Sequence, residues 1–173
     1  MEKLLLFEII GVFVIFILGS LFHFLYKYGG KKIWMAIISP VNESIWEHLK
    51  IAFYPFLIYA VFELFLLDLS LESFIWAKTV GVVVLIVAIL LIEVIYPRFT
   101  KKNILFIDLI VFFLTIALAQ YVGYMIFINT LLVPPISISL SILLSIAMII
   151  AYVTFYPPKR PLFRDSLTGK YGI

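Results

Sequence analysis

The stretch LLLFEIIGVFVIFILGSLFHFLY, residues 4–26, decides the fold. It is long enough to cross the roughly 30 Å hydrocarbon core of a bilayer as one helix. Glu8 and His23 are its only acidic or basic side chains besides the phenol of Tyr26, and it lacks the charged face of a soluble amphipathic helix. It is too long for a signal-peptide core and no A-x-A-like cleavage site follows it, so it reads as a retained helix. Four more runs of this kind follow, at 49–67, 76–96, 104–128 and 136–156, the last entered through Pro134-Pro135 and ended by Pro157-Pro158. The expected fold class is all-α, a polytopic transmembrane bundle of five spanning helices occupying 1–156, with a tail at 157–173. Composition agrees: 65% of the 173 residues are hydrophobic and 13% are charged. A soluble domain of this size cannot hide that much apolar surface. Without cysteine, disulfides, thiolate catalysis and cysteine-ligated metals are excluded.

The connecting segments differ in charge. One set carries Lys27, Lys31, Lys32, Lys50, Arg98, Lys101, Lys102, Lys159, Arg160, Arg164 and Lys170; the other carries Lys3 and Lys78. By the positive-inside rule the N-terminus is expected outside and the C-terminus in the cytoplasm, in a multi-pass protein of a prokaryotic plasma membrane. The net charge of +3 reports these loops and does not point to nucleic acid. In the cytoplasmic loop 27–48, Ser39-Pro40 has the form of an N-cap and first helical residue leading into the second span. The short apolar piece Ile33 to Ile38 suits the interface.

Ionisable groups at membrane depth are costly and are candidates for function. His23, His48, Glu93 and Asp108 each fall within roughly one helical turn of the cytoplasmic end of their span. Asn42, Glu43 and Glu47 enter the second span at the same level. The candidate solute- or ion-binding set is therefore His23, Asn42, Glu43, Glu47, His48 and Asp108. Glu43 and Glu47 are spaced i,i+4, with Lys50 three further on, which equally describes a salt-bridged helix start. Two histidines with Glu43, Glu47, Glu93 or Asp108 suffice chemically for zinc or another divalent ion. No H-E-x-x-H spacing is present, and a bis-histidine haem is supported by depth alone. Glu8, Glu63 and the deeper Gln120 lie toward the outer side, where they line a vestibule or snorkel.

Two stripes of small residues recur every four positions: Thr115, Ala119 and Gly123 in the fourth span, and Ser137, Ser141 and Ser145 in the fifth. Such stripes let helices approach closely, within the chain or in a homodimer. Asp108 shares the face of Thr115 and so points into the protein. Gly19, on the face of His23, leaves room for a neighbour. Pro55 interrupts the second span and frees the carbonyl of Ile51.

The run Asn42-Glu43-Ser44-Ile45-Trp46-Glu47-His48, with the tail from Phe163 and Asp165 through Thr168-Gly169 to Tyr171-Gly172, resembles a family of small prokaryotic membrane proteins of unknown function. Their pattern reads N-E-S-x-W-E-H with a terminal F-x-D-x-x-T-G-x-Y-G. The resemblance spans the chain and implies a five-helix membrane protein without an assigned activity. Leu162, Phe163 and Tyr171 are unusual in a loose end, so the tail is expected to fold back over the polar cluster. Three functions remain open: binding or transport of a small solute or ion, an enzyme acting on a lipid or prenyl substrate with Glu47 or Asp108 as acid or base, or a structural or regulatory subunit.

Overall fold

Five helices long and apolar enough to cross a membrane make up most of the computed structural model, which describes residues 2–96, 104–129 and 132–173. They are α1 (Glu2–Tyr28), α3 (Ile45–Leu66), α4 (Leu71–Ile95), α5 (Leu105–Asn129) and α6 (Ile136–Phe155). A short helix α2 (Ile33–Ile38) lies between the first two, and a 3-10 turn (Pro161–Phe163) opens the tail. The expected second span starts later than Ser39-Pro40 suggested. Ser39 ends α2, and its buried hydroxyl donates to the Phe22 carbonyl and accepts from the Tyr26 N–H, pinning α2 to α1. The N-cap of α3 is instead Ser44, whose hydroxyl accepts from the Glu47 N–H at 3.3 Å. The basic residues Arg98, Lys101 and Lys102 fall outside the described residues.

The outward faces carry large apolar side chains, Leu21, Phe65, Leu91 and Leu144 among them, as expected where hydrocarbon is the solvent. Helix packing inside relies on close backbone approach. The Thr115–Ala119–Gly123 stripe packs α5 against α4: a Cβ added at Gly81 would lie 3.0 Å from the Ala119 carbonyl, and one at Gly123 would lie 3.3 Å from that of Ala77. Ser137, Ser141 and Ser145 face outward along a shallow groove on α6. The Ile51 carbonyl, freed by Pro55, is accommodated at Gly19, where an added Cβ would come within 2.4 Å of it.

Between the helix ends lies a packed apolar layer, each spanning helix of the core contributing to it. Ile15, Phe53, Phe56, Val82, Leu85 and Ile116 are fully buried there. On either side of this layer sits a buried ionic group. At one end Lys78 Nζ stands 2.7 Å from Glu8, 2.6 Å from Glu63 and 3.1 Å from the Gln120 carbonyl oxygen. Lys78, counted by charge among the loop residues, is thus only 3% exposed. Glu8 and Gln120 accept hydrogen bonds from the ammonium, and Glu63 is held by the ion pair. At the other end Lys50, also counted with the loops, is buried and donates to Glu47 and to the carbonyl of Ala36, both at 2.6 Å. Replacing Lys78 by Met strands two carboxylates in an apolar interior. Breaking a buried pair in this way costs about 3–5 kcal/mol. Equilibrium unfolding in mixed micelles is expected to show that loss for K78M, with most of it recovered when Glu8 and Glu63 are also changed to Gln.

Candidate functional site

Ser44 sets the site. Because it caps α3, Glu43 lies just outside the helix and Glu47 within its first turn, so the two carboxylates diverge. Glu47 turns inward, where one oxygen takes Lys50 and the Val41 N–H and the other takes the Thr154 hydroxyl at 2.9 Å, joining α3 to α6. Glu43 turns toward α1. His48, one helical turn after Ser44, gives its Nδ1 to the Ser44 carbonyl at 2.8 Å. A carbonyl only accepts, so Nδ1 carries the proton and Nε2 of the neutral ring presents a lone pair outward. His23 reaches the same point from α1.

The three side chains form a nearly equilateral triangle. His23 Nε2 and His48 Nε2 are 3.2 Å apart, and Glu43 Oε2 stands 3.4 Å from the first and 3.3 Å from the second. Metal–ligand bonds of about 2.0–2.1 Å in tetrahedral geometry separate neighbouring ligand atoms by roughly 3.3 Å. The triangle has the dimensions of one face of such a tetrahedron, and these residues form a possible metal-holding group. When His23 and His48 carry a proton on Nε2 they donate to Glu43 and hold its carboxyl well below the usual carboxylate range; a cation at the same point would take the place of those protons.

The triangle opens on a cavity of about 280 Å³ between α1, α3, α4 and α5. Its polar lining is the triad with Glu93, Asp108 and Ser166; the rest is apolar, with Ile51, Ile89, Leu109 and Phe112 on its walls. Asp108 accepts from the Tyr96 hydroxyl, which in turn accepts from the Ile104 N–H at 3.0 Å. Of the residues singled out from the sequence, His23, Glu43, His48 and Asp108 meet here. Glu47 serves the Lys50 pair instead, and the Asn42 amide donates to the Gly172 carbonyl while its oxygen accepts from the Ser44 N–H. Glu93 was expected at this depth, and its place in the cavity wall follows from the packing of α4.

The tail closes over the ligand loop. The Glu43 N–H donates to Asp165 Oδ1, and the Ser166 N–H donates to the Glu43 carbonyl. Asp165 also accepts from the Leu167 N–H and the Thr168 hydroxyl. Burial pushes its carboxyl up, but these hydrogen bonds outweigh that and leave it below its ordinary value. Gly169 takes φ +73°, the left-handed turn that lets its N–H return to the Asp165 carbonyl. Phe163 packs on Trp46 at 5.1 Å between ring centroids. Two segments over a hundred residues apart thereby brace one carboxylate.

Comparison with known proteins adds a family and no chemistry. Neither the curated proteins nor the solved structures contain a match to this chain. A family model covers residues 1–173 in full. The chain therefore belongs to DUF6512, a family of unknown function.

Proposed function

We propose that His23, Glu43 and His48 bind a divalent transition metal, zinc by ligand type, and that the protein is a membrane-embedded metalloenzyme of hydrolytic type. The observation that carries this reading is the triangle of ligand atoms at tetrahedral spacing facing a cavity. Two imidazoles and one carboxylate are a set used where zinc keeps a fourth position open for water and substrate. The Ser44 carbonyl on His48 Nδ1 supplies the outer contact that orients a ligating imidazole. A bound metal would contribute Lewis acidity and a water acidified toward neutral pH.

The other readings receive less support. Transport needs a polar route through the bundle, whereas the apolar layer of Ile15, Phe53, Phe56, Leu85 and Ile116 packs between the two polar ends. A purely structural subunit leaves Glu93 and Asp108 beside two histidines without a purpose. The exposed Lys27, Lys31 and Lys32, with four more basic residues in the tail and only Lys3 exposed at the far end, support a cytoplasmic position for the site.

Protein purified without chelator is expected to carry one zinc per chain, read by elemental analysis and competition with a zinc chelator. H23A, E43A and H48A should each lower zinc affinity at least a hundredfold without loss of the helical far-UV signal. Unchanged affinity in all three contradicts the assignment. Asp165 braces Glu43 without touching the metal, so D165A is expected to lower zinc affinity only about 10–100-fold. The same change frees the tail, and trypsin should then cut after Lys159 and Arg164 several times faster than in the unaltered protein.

A further inference from the structure

The cavity beside the triad constrains what reacts there. Its residues include Glu43, Glu93 and Asp108, and among the described residues no lysine or arginine lines it. An anionic reacting group such as a phosphate needs cationic or bidentate donors around it, and here it would meet carboxylates. An uncharged carbonyl meets no such penalty, and its oxygen gains charge only as the reaction proceeds. Depth restricts the substrate further. His48 is three residues into α3 and Asp108 three residues into α5, which puts both about 5 Å from their helix ends. That is the level of the ester and amide linkages of a bilayer lipid. The apolar wall runs deeper, through Leu109 to Phe112 on α5, about 6 Å beyond Asp108. A half-open apolar cavity at membrane depth is filled by the surrounding solvent, which is acyl chain.

Resting on the metal site proposed above, we propose that the substrate is a membrane lipid with an uncharged carboxylic ester or amide, its acyl chain along Leu109 and Phe112 and its carbonyl at the triad, with Glu93 as the general base. Water adds to the carbonyl carbon and Glu93 takes its proton. The bond from that carbon to the alcohol oxygen or amine nitrogen then breaks. Glu93 returns the proton to this leaving group, so one water is consumed and a fatty acid and an alcohol or amine are released. No redox partner is required. Asp108, held by Tyr96, lines the same cavity as Glu93.

The experiment uses the full chain in phosphatidylcholine nanodiscs with one zinc per chain. The probes are 4-nitrophenyl decanoate, 4-nitrophenyl acetate and 4-nitrophenyl phosphate, and binding of decanoyl hydroxamate is compared with that of acetohydroxamate. Expected are zinc-dependent cleavage of the decanoate at least tenfold faster than the acetate, no cleavage of the phosphate, and at least tenfold tighter binding of the long hydroxamate. L109W, which fills the cavity, should abolish both chain preferences while retaining zinc. E93Q should retain zinc and hydroxamate binding but lose at least a hundredfold in kcat. Zinc retained with no chain preference in binding, or with the phosphate as the better substrate, overturns the lipid assignment and leaves the metal site standing. An E93Q variant of undiminished kcat overturns the role of Glu93. Failure to bind zinc at the triad overturns both readings.

Discussion

Inside a bilayer a polar side chain finds no water, so it must be satisfied by the protein or be held there for a purpose. The bundle meets this constraint in two ways. At one end Lys78 gathers Glu8, Glu63 and Gln120, and at the other Lys50 gathers Glu47 and the carbonyls that end α2. Both ammonium groups are surrounded by acceptors and sealed by the apolar layer between them. These clusters lock helices together. The His23–Glu43–His48 group differs because its ligand-type atoms converge on a point beside a cavity.

That convergence follows from one capping decision. With Ser44 as N-cap, Glu47 is drawn into the helix start and the Lys50 pair, while Glu43 is left on the preceding loop, free to face α1. The tail then fixes the loop through Asp165 and Ser166 on either side of the Glu43 peptide. A ligand on a loop is normally imprecise. Here it is braced from both its amide and its carbonyl, which is how a weak local element can hold a carboxylate 3.3–3.4 Å from two helical imidazoles.

Much of this was legible in the residues. The five apolar runs fixed the helices, and the rise per residue placed His23, His48, Glu93 and Asp108 at one depth. The tail's aromatic residues and Thr168-Gly169 turn pointed to a folded segment. What could not be read was facing. The i,i+4 spacing of Glu43 and Glu47 implies a shared helix face only if both are helical, and the Ser44-x-x-Glu47 pattern of a capping box was the overlooked sign that the helix begins between them. Lys50 and Lys78 were counted as loop charges because charge alone does not reveal a buried partner. Glu47, the partner of Lys50, is on the same helix, but the partners of Lys78 lie on other helices, Glu8 being 70 residues away, and only packing brings them together.

The most direct test is the zinc K-edge X-ray absorption spectrum of the full chain loaded with one zinc. The expected spectrum contains outer-shell scattering from two imidazole rings and first-shell oxygen and nitrogen at about 2.0–2.1 Å, with one ring lost in H23A and one in H48A. A spectrum without imidazole scattering, or one unchanged in both variants, would place the metal elsewhere and contradict the account.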